Sequence, residues 1–235
     1  MSSGSGTHPL GLAGTEPVAS RGPSPRTAPG RPEGPGSRRP HAPRRLSPRL
    51  PWPDPPLVDA AAGIRLRPWT TSAGDVDALV AAWADPVIAA ANGVPRDRSA
   101  PAAARWLAGD PARVAAGRCL DLVISPLDSG GPTDSCDPAG GLPVLGEVGL
   151  RNIDRVHRRA EISWWIAPAN RGRGLATAAT RLLSGWALSA AGGGLVQVWA
   201  RIDPVNTHSA RVAAAAGLER RGTVEGVDVW SVAGR

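Results

Sequence analysis

Ile64-Arg65-Leu66-Arg67-Pro68-Trp69 alternates apolar and charged positions, the period-two pattern of a half-buried strand, with the proline as its end. The period then lengthens. Asp75 precedes Val76, Leu79, Val80 and Trp83, an apolar stripe at helical spacing with a capping residue in front of it, and 102–107 predicts a second short helix. Residues 119–124 are a short apolar run suited to a strand, and 125–142, rich in Gly, Pro, Asp and Ser, reads as a loop. Residues 144–150 and 160–166 are two further strands, predicted to form an antiparallel hairpin across the charged connection 151–159.

The Ala and Leu content of 174–190 predicts a long helix, which Gly192, Gly193 and Gly194 terminate before an apolar strand at 195–200. Strand, helix, strand in that order implies a right-handed crossover with parallel or splayed pairing. Asp203-Pro204 makes a turn, 207–216 a further helix stopped by Gly217, and 223–232 closes the chain with β-rich residues.

Composition changes the picture at the N-terminus. Residues 1–56 are mostly Pro, Gly, Ser and Arg with Trp52 as their sole aromatic, too little apolar surface to offset the conformational entropy of folding. The chain therefore divides into a disordered tail, 1–58, and one folded domain, 59–235. In the tail eight arginines face only Glu16, Glu33 and Asp54, so it carries about five of the seven net positive charges. Such a tail attracts nucleic acid weakly through phosphates; the simpler reading is a solvated extension. Met1 is the sole methionine, and a start near Val58 would leave the tail untranslated.

Several chemistries are excluded or disfavoured. The chain has no Lys, Tyr or Phe, which removes Schiff-base, P-loop-lysine and tyrosine-acid mechanisms. Cys119 and Cys136 lack metal-type spacing and the four histidines are scattered, so no zinc site is expected, and reduced thiols are expected over a bridge. No secretory h-region precedes the domain, and the uncharged part of 182–200 is broken by three glycines. A cytoplasmic chain without a membrane span is the expectation.

The sharpest motif is Asn170-Arg171-Gly172-Arg173-Gly174-Leu175-Ala176-Thr177, between a strand and a helix. Glycines there allow positive φ and close approach to an anion, while the free N–H groups of the helix's first turn supply donors and partial positive charge. Arg171 and Arg173 add charge-assisted bonds. A Walker A loop needs lysine, and a dinucleotide fingerprint needs Gly or Ala at Thr177 and an acid about twenty residues later, where 194–197 offer none. Ahead of the motif, Glu161 shares a strand face with Ser163 and Trp165, where apolar neighbours would raise its pKa toward that of a useful base; Glu147 on the preceding strand is the spare. Ion pairing of Glu161 with Arg158 or Arg159 is the structural alternative.

With Arg171, Gly174 and Ala176 in the positions of a Gln/Arg-x-x-Gly-x-Gly/Ala loop, the chain resembles the GNAT superfamily of N-acetyltransferases. Ala160-Glu161-Ile162-Ser163-Trp164-Trp165-Ile166, Asp203-Pro204-Val205-Asn206-Thr207-His208-Ser209 and Ala216-Gly217-Leu218 resemble the branch that acetylates N-termini of ribosomal proteins. The resemblance covers roughly 62–233. It implies an α/β acyl-CoA N-acyltransferase fold, a mixed and mainly antiparallel sheet of six to seven strands with helices on both faces. It implies acetyl-CoA as cosubstrate, no metal, and transfer to a primary amine by direct attack.

Carried over, Gly172, Leu175 and Thr177 with the rest of the loop hold the pyrophosphate. Trp164, Trp165, Ile166 and Ala167 offer backbone to the pantetheine, and Asn206 its side-chain amide. The tyrosine of many relatives falls at Ala213, so Ser209 is the stand-in for a thiolate acid, with capping or pantetheine contact as its other roles. The acceptor stays open between a protein N-terminus and a small amine, and a non-catalytic acetyl-CoA sensor or a ribosome- or RNA-bound module is the rival reading.

Overall fold

In the computed structural model, which describes residues 50–127 and 142–234, alternation and burial agree on the central strands. β1 (Val58–Asp59) and β2 (Ile64–Pro68) form a hairpin; β3 (Cys119–Pro126), β4 (Gly146–Asp154) and β5 (Arg159–Ile166) follow. β6 (Gln197–Ile202), β7 (Glu219–Val224) and β8 (Val227–Ala233) complete one sheet in the order β1-β2-β3-β4-β5-β6-β8-β7. All neighbours are antiparallel except β5 and β6, which run parallel. The sheet has eight strands where six to seven were expected. The short β1 carries no alternation, and the closing segment is a hairpin, turned at Glu225-Gly226, with both glutamate (φ 50°) and glycine (φ 79°) left-handed.

The two sheet faces bury different cores. Leu120, Leu122, Ile124, Val148, Leu150 and Ile162 pack with α5 (Leu175–Leu188) and α6 (Thr207–Ala215). On the other face Val123 and Trp165 meet Trp69, Leu79, Trp83, Ile88, Ala103 and Leu107 of the helical segment between β2 and β3. Each fully buried Leu or Ile contributes about 1.5–3 kcal/mol. Leu50, inside the stretch read as tail, is 3 % exposed in the first core.

That helical segment holds four helices, not two: α1 (Ala73–Ala84), α2 (Pro86–Asn92), α3 (Ala100–Ala108) and α4 (Asp110–Ala115). Asp85 ends α1 and starts α2, its carboxylate accepting from Ile88 N at 2.9 Å with Pro86 at the first helical position. The cap of α1 is Ser72, not Asp75. Asp75 is instead buried and gripped by both terminal nitrogens of Arg67, at 2.6 and 2.8 Å, and by Thr70 N and Oγ1 at 2.7 and 2.9 Å. Burial works against ionisation there, yet the bonds from Arg67 and Thr70 hold its carboxyl below the ordinary range. Arg220 and Arg221 lie on β7 and bond Asp228 and Ser231 of β8.

Cys119 is buried and unbridged, its thiol pushed up to about 12 by burial and then by Asp121; Cys136 lies outside the described residues. No helix among the described residues is long and apolar enough to cross a membrane.

Candidate active site

The parallel pair β5–β6 is joined over only three positions, Arg159↔Gln197, Ala160↔Val198 and Glu161↔Trp199. Beyond Glu161 the strands part, leaving Ile162–Ile166 of β5 without a partner strand on that side among the described residues. The opening leads to a cavity of about 780 Å³. Trp164, Trp165 and Ile166 form one wall, the whole 170–177 loop and helix start another, and Asn206, His208, Ser209 and Arg211 of the α6 turn a third; Val87, Ile88 and Ala91 of α2 close it.

The loop has the geometry of an anion cradle. Gly172 and Gly174 sit at φ +77° and +75°, and a Cβ on either would meet nothing within 4 Å, so the backbone is open to a ligand rather than packed. Gly174 starts α5 with no side-chain cap, which leaves the first-turn N–H groups of a 14-residue helix at the cavity with no side-chain acceptor among the described residues. Leu175 and Ala176 are buried at 3 % and 8 % and anchor that turn in the core. This arrangement fits a diphosphate.

The arginines divide. Arg171 bonds the Ile166 carbonyl through Nε at 3.1 Å and Asp85 through Nη2 at 3.0 Å, so it ties the loop to the end of β5 and the start of α2. The Ile88 amide and then Arg171 hold the Asp85 carboxyl below its ordinary range. Arg173 bonds Asn170 Oδ1 at 2.9 Å and has no carboxylate partner among the described residues.

Asn206 caps α6, its Oδ1 accepting from Ser209 N at 3.0 Å, which leaves the amide NH2 to the cavity. Ser209 lines the cavity beside it. Ala167 does not line it: its N–H donates to Leu145 O and its carbonyl accepts from Asn170 N, so both backbone groups are engaged. Ala213 is fully buried.

Two carboxylates share the opposite sheet face. Glu161, at the last pairing before the strands part, is half-buried and accepts from Asn152 Nδ2 at 2.6 Å; it forms no ion pair with Arg158 or Arg159, which bond Gly194 O and Asp154. Its neighbour is thus an amide, not the apolar surroundings expected. Glu147, opposite Trp165, is 3 % exposed, accepts from Trp69 Nε1 at 2.9 Å and lies 3.4 Å from Arg151. Burial and then the nearby Asp121 charge push its carboxyl up to about 8.

Sequence reading had Glu147 only as a spare and missed the buried set around it. Asp110, Cys119 and Asp121 offer ligand atoms within 4.8 Å of one another, but Arg113 pairs with Asp110 at 2.9 Å and Arg151 lies 3.8 Å from Asp121. Gly149 is part of it: a Cβ there would strike Asp121 Oδ1. His157 Nδ1 lies 2.7 Å from Asp154 Oδ2 on an exposed turn, outside the cavity lining.

A splayed parallel pair inside an antiparallel sheet, with a glycine cradle at the following helix, defines the acetyltransferase class of α/β folds. The acetyltransferase (GNAT) domain model matches residues 64–219, and the chain belongs to this family. A curated relative, the ribosomal N-acetyltransferase by name YdaF of Bacillus subtilis, is 48 % identical over 40 residues, 17 % of this chain. That match spans 22 % of the relative's own length. Among solved structures, Mycobacterium smegmatis RimJ in complex with CoA-disulfide superposes with a TM-score of 0.59 at 24 % identity, covering 77 % of this chain and 88 % of that one. Spermidine N-acetyltransferase of Vibrio cholerae, in complex with CoA and spermine, gives 0.55 at 16 % identity over 73 % and 96 %. At these identities the likeness is one of fold.

Proposed function

We propose that the chain transfers an acetyl group from acetyl-CoA to a primary amine. The carrying observation is the cavity at the β5–β6 parting, walled by an uncapped helix N-terminus and an unpaired strand edge. The cradle of Gly172, Gly174 and the first-turn amides of α5 holds the diphosphate, with Arg173 adding charge and Arg171 bracing the loop. The free edge of β5 at Trp164, Trp165 and Ile166 takes the pantetheine arm as an added strand would be taken, and the Asn206 amide donates to it. Acetyl-CoA supplies the activated acetyl thioester.

Glu161 stands at the fork of the two strands and accepts the proton that the attacking amine sheds, with Asn152 fixing its carboxylate. An α-amine with pKa near 8 demands less of such a base than a lysine near 10.4. Ser209 donates toward the departing sulfur, a modest aid because a thiol of pKa near 8.5 leaves readily. A second assignment of the base, to Glu147, is favoured by its carboxyl being pushed to about 8, close to working pH. The acceptor we favour is a protein N-terminal α-amine, on the resemblance of the 160–166 and 203–209 segments.

The test is thiol release from acetyl-CoA by the full chain against short peptides with free N-termini and against polyamines. Glu161→Gln should lower turnover about a hundredfold with acetyl-CoA affinity nearly intact. Unchanged turnover there, with loss in Glu147→Gln, transfers the role to Glu147. Acetyl-CoA binding without release on any acceptor identifies a non-catalytic sensor instead.

A further inference from the structure

The diphosphate cradle leaves two basic side chains of the cavity unexplained. His208 and Arg211 lie one turn apart on α6, and both line the cavity from the wall formed by that helix, while the cradle belongs to the loop and the start of α5. Arg211 Nη2 and His208 Nδ1 are 2.9 Å apart. A guanidinium only donates, so Nδ1 is the acceptor of that bond and the ring proton sits on Nε2, a further donor. Among the described residues neither side chain has a carboxylate partner, and no Asp or Glu lines the cavity. The contrast with Arg171 is direct, since Asp85 neutralises that guanidinium at 3.0 Å. Two donors held together on an acid-free wall form a receptor for a second anion.

We propose that Arg211 and His208 form a second phosphate subsite, distinct from the diphosphate cradle, which takes a terminal phosphate monoester of the cosubstrate. Resting on the acetyl-CoA reading, this assigns the pair to the 3′-phosphate on the ribose of CoA. The chain then discriminates CoA thioesters from their dephospho forms. A monoester carries close to two negative charges at neutral pH, more than a diphosphate oxygen pair already held by backbone amides, and a fork of guanidinium donors beside an imidazole N–H meets it with charge-assisted bonds. The chain's lack of lysine leaves arginine as its permanently charged side chain for the task, with the imidazole N–H as a neutral donor beside it.

The experiment is calorimetric titration of the full chain with acetyl-CoA and with acetyl-3′-dephospho-CoA, for the unaltered protein, Arg211→Gln and His208→Ala, each checked for an unchanged melting curve. The unaltered chain should bind the phosphorylated form about tenfold or more tightly. Arg211→Gln should shrink that preference to about twofold by weakening only the phosphorylated ligand, and His208→Ala should shrink it part of the way. Equal binding of the two ligands by the unaltered chain, or a preference that survives Arg211→Gln, overturns the subsite while leaving the acetyl-CoA reading standing. Failure of the unaltered chain to bind either ligand overturns the acetyl-CoA reading itself.

Discussion

At the scale of single residues the two glutamates on one sheet face divide by environment. Glu161 sits at the strand fork with an amide partner, whereas Glu147 is enclosed by Trp69, Trp165 and Arg151 and holds its proton up to about pH 8. If Glu147 is the base, the rate with acceptor present rises as pH climbs through about 8, and Glu147→Gln abolishes that limb; a pH–rate profile of both variants decides it. Sequence alternation put Glu161 on the face of Trp165, because period-two geometry is local, whereas the register that sets Glu147 opposite Trp165 is a tertiary matter. Their environments were not legible, since the residues that surround them, Trp69, Asn152 and Asp121, come from other segments of the chain.

At the scale of elements the loop 170–174 and the start of α5 act as a unit. An alanine at Gly174 would be forced to φ near +75°, a strain of about 1–2 kcal/mol, and relief of that strain would re-aim the first-turn amides. Gly174→Ala should therefore weaken acetyl-CoA binding about tenfold or more with a small loss of stability, read by titration and melting. The anchoring of α1 is a separate matter. Asp75→Ala leaves Arg67 with an unpaired charge at a site where only 15 % of its side chain is exposed, and should cost about 3–5 kcal/mol in urea unfolding. That pair was illegible beforehand: Asp75 reads as a cap in the sequence, but it lies within the first turn of α1, Ser72 is the cap, and the Asp75 carboxylate is held by Arg67 of β2 and by Thr70. The α1–α2 break at Asp85 was likewise hidden in a continuous apolar pattern, though the Asp-Pro pair marks it in hindsight.

For the whole molecule, the splay of β5 from β6 is both the binding site and an exposed edge. Occupation by acetyl-CoA should slow amide exchange across 162–166 while leaving β3 unchanged, measured by hydrogen exchange with and without ligand. Stability also carries the mark of Glu147: its carboxyl keeps a proton in the fold that the unfolded chain releases from about 4.5 upward, so stability is greatest below that pH and declines as pH rises toward about 8. Unfolding across pH 5 to 8 should show the decline, flattened in Glu147→Gln. What the sequence alone determined is what periodicity and backbone stereochemistry encode locally: the central strands, the long helix α5, the glycine cradle and its place between strand and helix. Only tertiary structure decided that β8 inserts between β6 and β7, that Arg171 is paired with Asp85 and the Ile166 carbonyl where it lines the cavity, and that His208 joins Arg211 on its wall. Strand order, ion-pair partners and carboxyl pKa values depend on groups brought together from distant positions, and a local pattern carries no record of which distant group will arrive.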